Sequence, residues 1–385
     1  MQLPNAAAQL PQTPFYLYDT ELLDRTLQAI KAETAKHNNY HVHYAVKANA
    51  NPEILRIIAK AGFGADCVSG GEIQAALDSG FAPESIVYAG VGKADWEIEL
   101  ALKAGIAMFN VESNAELDVI NEIALKMGRK ANVSFRINPE VGAHTHAHIT
   151  TGTAENKFGI AMKDMLTAVR TAQSMQGVVC TGLHFHIGSQ ILDMKDFKAL
   201  AIRINVLQAE LEEAGINLKN INVGGGLGID YEHPNENPIP DFDAYFKTYA
   251  DNLVLRPGQQ LHFELGRAVV GQMGALITRI LYVKETTRKR FAIVDAGMTD
   301  LIRPALYGAL HYIKPLNTEP RATEVYDVVG PICESSDTFA KDYTLPVVQR
   351  GDYLALCSAG AYGEIMASSY NCRRLPKAYT LDSLT

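Results

Sequence analysis

Nowhere in the 385 residues do about 18 apolar residues follow one another without a break, so the sequence offers no membrane-spanning helix. Cysteine is scarce. Cys67, Cys180, Cys333, Cys357 and Cys372 are odd in number and show no C-x-x-C spacing, which suggests neither a disulfide framework nor a zinc ribbon. The chain also lacks a basic run: its net charge is −8 with both signs interspersed, which argues against nucleic acid as a partner. The N-terminal MQLPNAAAQLPQTP has no basic segment followed by an apolar one, and a soluble cytoplasmic protein is expected. A dinucleotide fingerprint is missing too, because the run Gly224-Gly225-Gly226 fails G-x-G-x-x-G at Ile229. No low-complexity segment occurs, and no repeat beyond a strand-helix unit.

That unit is what the sequence does contain. His41 to Ala50, HVHYAVKANA, starts as a buried parallel strand, carries Lys47 at its end and gives way to Asn51-Pro52, a helix cap and first helical residue. Ile54, Ile57, Ile58 and Ala61 follow at helical spacing, and Gly62 closes the helix. The pattern recurs from Gly64 to Gly80, from Ile86 to Gly105, and from Met108 into the capping box Ser113-x-x-Glu116. Further strands are expected at Val133 to Ile137, Thr181 to Ile187, Ile221 to Val223 and Leu261 to Leu265. Eight strands alternating with helices predict an α/β fold with a closed (β/α)8 barrel. At 385 residues the chain exceeds what one core usually fills. Beyond Gly266 the pattern turns to strands and turns, at Phe291 to Val294, Val325 to Val329 and Tyr353 to Cys357. We therefore expect a barrel over 19–266 and an all-β domain over 267–385, joined by 1–18 through the strand Phe15 to Tyr18.

Active sites of such barrels lie at the C-terminal strand ends. Lys47, Asp66, Arg136, His186, the glycine run and Glu264 all fall there. Each has an ordinary structural alternative: Lys47 as a solvated charge on an apolar stem, Asp66 with Arg136 as a structural ion pair, His186 as a satisfied core histidine. The glycine run can be a plain tight turn, or it can aim backbone N–H groups at a phosphate. Taken together, a lysine, a phosphate nest, an imidazole and a carboxylate on one rim are what pyridoxal phosphate requires.

At this point a resemblance becomes specific. YAVKANA, GADCVSGGE, FHIGS, VGGGLGI, ELGR, GPICESSD and GAYG, in that order from about Phe15 to Gly363, resemble the alanine-racemase-like (fold type III) pyridoxal phosphate decarboxylases. The resemblance implies an N-terminal barrel, a C-terminal β domain and a homodimer with shared active sites. It is similar in particular to the members that convert meso-2,6-diaminopimelate to L-lysine and CO2. Carried over, Lys47 would bond the cofactor's aldehyde and His186 would stack on its ring, while Asp66, Ser189, Gly225, Gly226, Glu264, Gly266, Arg267 and Tyr362 would line the cofactor. Cys333 would reach in from the partner subunit as proton donor, and Tyr362 would close the pocket. Leu265 departs from the family, where many relatives carry proline, but it leaves Glu264 and Arg267 in register.

The chemistry can be argued beside the family name. A carboxylate at Glu264, facing the pyridine nitrogen, favours loss of CO2, whereas related racemases place an arginine there. A thiol such as Cys333 can return a proton as general acid, although an isolated cysteine is as readily a small buried hydrophobe. Arg303 and Tyr307 offer a carboxylate-binding fork and a hydroxyl, and Glu334 can hold an ammonium, so with Arg267 and Tyr362 they form the expected substrate set. Ornithine or arginine would leave Arg303 unpaired, whereas diaminopimelate would not; a related carboxylated polyamine or basic amino acid is the nearest alternative substrate. Two rivals come from other classes. A metal-dependent barrel hydrolase would use the pairs His41/His43 and His184/His186 and the loop histidines His144, His146 and His148, but no metal set is expected: His41 and His43 come early on their strand, Glu264 stands where such a site would have an aspartate on the eighth strand, and the loop histidines lie off the rim. A non-catalytic pyridoxal phosphate carrier would need neither a second domain nor Cys333.

Overall fold

The computed structural model describes residues 10–141, 157–316 and 321–384. It divides into two compact units: residues 27–228 with 241–266, and residues 1–26, 229–240 and 267–385. The segment 229–240 goes with the second unit although it lies in sequence between strands of the first.

The first unit is the barrel. Its strands are Tyr40–Ala45, Gly64–Cys67, Ile86–Tyr88, Met108–Val111, Ala131–Asn138, Val178–His184, Asn220–Asn222 and Gln260–Leu265. Every pairing between them is parallel, the first pairs with the eighth and the fourth with the fifth, and the sheet is closed. A short added strand, Ile160–Ala161, extends the fifth. All eight expected strands are present. Most of their residues, especially toward the C-terminal ends, are buried on both faces, which is why they read as near-continuous apolar runs rather than alternating ones.

Local signals set the helices. Asn51 accepts the Glu53 N–H at 3.0 Å and Pro52 opens Pro52–Lys60. Ser69 caps Gly70–Asp78, and Gly105, at φ 76°, ends Asp95–Ala104. The expected capping box is half realised. Ser113 Oγ accepts from Glu116 N at 3.2 Å, but the Glu116 carboxylate takes the N–H of Glu112, one residue before the cap, at 2.8 Å. Glu72 does the same with Val68 beside Ser69.

Two expectations about strand ends need correction. Lys47 is not the last strand residue: the strand stops at Ala45 and Lys47 sits in the 3-10 turn Val46–Ala48. The sixth strand likewise stops at His184, leaving His186 two residues beyond it.

The second unit is built on an eight-stranded sheet. Its main path runs Ile313–Pro315, Tyr353–Leu356, Gly274–Glu285, Arg290–Val294, Thr323–Val329, Thr338–Pro346. Phe15–Tyr18 pairs antiparallel with the long strand Gly274–Glu285 and parallel with Lys377–Thr380. Phe15, Leu17, Ala275, Ile277, Leu316 and Ala355 form a packed core there. Among the described residues no helix is long and apolar enough to cross a membrane.

Candidate active site

In the barrel, the parallel register between the first and eighth strands puts Lys47 and Glu264 at the same end. The Lys47 ammonium lies 3.1 Å from Asp66 Oδ2, and the lysine side chain keeps 39% exposure while that of Asp66 has none. Burial, with Glu264 adding and Lys47 opposing, pushes the Asp66 carboxyl up to about 6. Its second oxygen, Oδ1, is buried and has no hydrogen-bond partner among the described residues.

Glu264 is anchored from three strands. Oε1 accepts from Asn222 Nδ2 at 2.7 Å and Asn110 Nδ2 at 3.1 Å, and Oε2 lies 3.0 Å from His184 Nε2. Burial alone pushes this carboxyl up, but its interactions with His184 and the charge of Lys47 hold it well below the usual carboxylate range. A carboxylate fixed by donors on both oxygens stays ionised and immobile.

The structural ion pair of Arg136 with Asp66, the ordinary alternative to a site role, is not formed: each has another partner. Arg136 lies 2.9 Å from Glu112, which also accepts the Gly159 N–H at 2.8 Å, and its guanidinium covers the Phe158 ring at 4.6 Å. His186 Nδ1 is 3.4 Å from the Gly225 N–H. Burial, followed by the charges of Arg136 and Lys47, pushes its imidazolium form far down, so the ring is neutral.

The glycine run has no room for side chains. A Cβ at Gly225 would run into the Glu264 carbonyl, one at Gly224 into the Phe185 carbonyl, and one at Gly226 would come within 2.6 Å of the Gly188 carbonyl. Gly224 and Gly226 also have φ of 70° and 105°, conformations that side-chain-bearing residues rarely adopt. Ser189 is half-buried in the facing turn. Gly266 packs against the first strand's end, where a Cβ would press on Ala45 and Ala48 at 3.1 Å.

In the second unit, Arg267 donates to the Tyr231 hydroxyl at 2.6 Å and lies over the Tyr362 ring at 4.9 Å. Tyr362 holds a strained φ of 56°. Arg303 is buried, Tyr307 half-buried. Arg303 Nη1 lies 2.8 Å from His311 Nε2, and its Cζ lies 4.7 Å from the Tyr231 ring centre. Cys333 and Glu334 are exposed: the Cys333 N–H donates to Asn371 at 3.2 Å, and Glu334 accepts from the Tyr370 hydroxyl at 2.6 Å. Among the described residues no hydrogen bond joins either to Arg267, Arg303 or Tyr362. Their loop is held by Asp337, whose carboxylate accepts from Met298 N at 2.6 Å and Ile332 N at 2.7 Å.

The histidine pairs do not assemble a metal site. His43 lies 3.0 Å from both the Ser85 carbonyl and His262, and among the described residues no group of three or more His, Cys, Asp or Glu could hold a metal ion. His144, His146 and His148 lie outside the described residues. Sequence reasoning passed over Asn110, Glu112, Asn222, Tyr231 and His311. The first three had a usable signal, a polar residue within or just after an apolar strand.

These features fit pyridoxal phosphate. The glycine cradle excludes every side chain, an unpartnered Asp66 oxygen stands beside a half-exposed lysine, and the ionised Glu264 is rigidly held. The family model for the pyridoxal binding domain of pyridoxal-dependent decarboxylases matches residues 21–271. Fold and site thus define a pyridoxal phosphate-dependent decarboxylase. Among relatives, a diaminopimelate decarboxylase from Bacteroides thetaiotaomicron is 65% identical over 97% of this chain and 96% of its own length. The crystal structure of diaminopimelate decarboxylase from Helicobacter pylori complexed with L-lysine superposes with a TM-score of 0.91 at 42% identity, covering 97% of this chain and 92% of that one. That from M. jannaschii, also with L-lysine, gives 0.85 at 38% identity over 96% and 88%. The chain belongs to the diaminopimelate decarboxylase family.

Proposed function

We infer that this protein decarboxylates meso-2,6-diaminopimelate to L-lysine and CO2 with pyridoxal phosphate as cofactor. The observation that carries the reading is the Glu264 carboxylate, held ionised at the barrel end that bears Lys47.

When bound, the cofactor supplies an electron-accepting ring that stabilises the charge left on the substrate carbon as CO2 departs. The chain's own groups do the rest. Lys47 would bond the cofactor's aldehyde carbon, and Asp66 holds its ammonium when the amine is released. Glu264 would keep a proton on the pyridine nitrogen. Its amide and imidazole donors leave it no other geometry, so the proton stays at that atom throughout. The neutral His186 ring would lie against the cofactor face without adding charge. Backbone N–H groups of Gly224 to Gly226, with Ser189 and Arg267, would hold the phosphate. Arg303 and Tyr307 would bind the carboxylate of the substrate's unreacting end, Glu334 its ammonium, and Tyr362 would close over them.

Cys333 would return the proton to the substrate carbon, acting from the partner subunit of a homodimer. Its exposure, with its backbone N–H turned to Asn371, supports that arrangement. A cytoplasmic location fits a soluble biosynthetic enzyme.

A substrate panel tests the reading. Purified protein supplied with pyridoxal phosphate should release CO2 from meso-diaminopimelate far faster than from ornithine, arginine or a carboxylated polyamine. Equal release from ornithine would overturn the substrate assignment.

A further inference from the structure

Arg303 is only 5% exposed. Among the described residues no carboxylate pairs with it, and burial, with the charge of Arg267, pushes its pKa down from the usual guanidinium value while Tyr231, Tyr362 and Tyr307 oppose that. A buried guanidinium without an anion is strongly disfavoured, so other groups must hold it in place. Two rings do so.

The first is His311. Arg303 opens the short helix Arg303–Tyr307, which Gly308 ends at φ 62°, and the reversal brings His311 back onto it. His311 Nδ1 lies 2.8 Å from the Cys357 carbonyl oxygen, and its Nε2 lies 2.8 Å from Arg303 Nη1. A carbonyl only accepts and a guanidinium only donates, so Nδ1 carries the proton and Nε2 offers its lone pair. The ring is therefore neutral, in one tautomer. Burial and the adjacent Arg303 charge agree, pushing its pKa down to about 3.

The second is Tyr231, in the segment that joins this unit from between the barrel strands. Its ring faces the Arg303 guanidinium at 4.7 Å and meets His311 edge-on at 5.3 Å. Its hydroxyl accepts from Arg267, whose Cζ lies 5.8 Å from the same ring. One ring thus engages two cations, which lessens their mutual repulsion.

We propose that His311 and Tyr231 are positioning residues that aim the Arg303 fork at the carboxylate of the substrate's unreacting end, and so set the preference for a substrate that has one. One Nη1 proton is spent on His311, which fixes the guanidinium plane and leaves its other donors for the anion. This rests on the decarboxylase reading above and adds to it how the remote end is recognised.

The test uses the dimeric or monomeric holoenzyme as purified and two readouts: steady-state CO2 release from meso-diaminopimelate, and calorimetric binding of L-lysine, which keeps the amino acid group of the unreacting end. Cadaverine, which lacks the carboxylate, is the reference ligand. His311→Phe keeps a ring but loses the acceptor. It should raise KM and the L-lysine Kd by about tenfold or more, the scale of one hydrogen bond to a charged group. The value of kcat, the cofactor absorbance and cadaverine binding should stay within about twofold. His311→Gln restores an acceptor and should recover most of the affinity. Tyr231→Phe keeps the ring face but loses the acceptor for Arg267, and should bind L-lysine more tightly than Tyr231→Leu, which loses both; equal binding by the two would overturn the part given to the ring. Unchanged L-lysine affinity in His311→Phe, or a His311→Gln protein no better than His311→Phe, would overturn the proposal. Wild-type CO2 release is the separate control: its absence would count against the decarboxylase reading, whereas normal release with an unaltered His311→Phe protein would sink only this inference.

Discussion

The barrel end and the arginine cluster of the second unit solve the same problem, buried charge, in opposite ways. In the barrel each charge considered is met by a polar side chain: Lys47 by Asp66, Arg136 by Glu112, and Glu264 by the amides of Asn110 and Asn222 and the ring of His184. In the second unit Arg303 is held by neutral rings, through a lone pair of His311 and the face of Tyr231. The difference is functional in our reading. Charges that must stay fixed through a reaction are met within the protein, whereas a charge meant for a ligand's carboxylate is left unneutralised until the ligand supplies one.

Breaking the barrel side should cost most. Lys47→Ala should lower kcat by roughly three orders of magnitude or more, equivalent to about 4 kcal/mol, measured as CO2 release in single turnover. Glu264→Gln keeps the shape but removes the charge; kcat should fall about a hundredfold while the L-lysine Kd hardly moves, since the loss is felt where charge develops. Arg303→Ala sits on the other side of the comparison. It should act through KM, about tenfold to a hundredfold, with kcat much less affected. An equal fall in kcat would show that the two regions do not divide their work in this way.

A smaller effect sharpens the contrast through pH. His311 is neutral in the fold, with its pKa pushed down to about 3 from an unfolded value of about 6.5. Between those values the unfolded chain binds the extra proton. The stability from this residue is therefore complete above pH of about 6.5 and is lost as pH falls toward 3. Thermal melts of His311→Gln should show a shallower decline than wild type over pH 6.5 to 4; an identical slope would mean that the ring is not held neutral.

Much of this was legible in the sequence, for identifiable reasons. The barrel strands carry continuous apolar runs and their helices open on Asn51, Ser69 and Ser113, all signals confined to a few neighbouring residues. Glu264 could be singled out because a carboxylate near the end of an apolar strand, Gln260–Leu265, is costly without a task. What stayed hidden depends on adjacency between strands. Arg136 was matched to Asp66 by charge, but it lies on the fifth strand, beside the fourth, and the partner it meets is Glu112, the residue just after Val111. Asp66 meets Lys47 because the second strand pairs with the first.

Irregular backbone hid the rest. Lys47 lies in a 3-10 turn that no periodicity announces. Strand Gly274–Glu285 was also missed; its first five residues are buried and show no alternation, and its pairing with Arg290–Val294 shifts register between Ile280 and Tyr282. Tyr231 sits in IDYEHPNENPIP, a stretch without period two or 3.6, and its partners are more than thirty residues away in sequence.

The central claim is that Lys47 is the residue to which the cofactor is bonded. Borohydride reduction of the holoenzyme, followed by peptide mass mapping, tests it directly. The account predicts the reduced cofactor's mass on the peptide containing Lys47 and on no other; its appearance on a different lysine, with Lys47 unmodified, would contradict it.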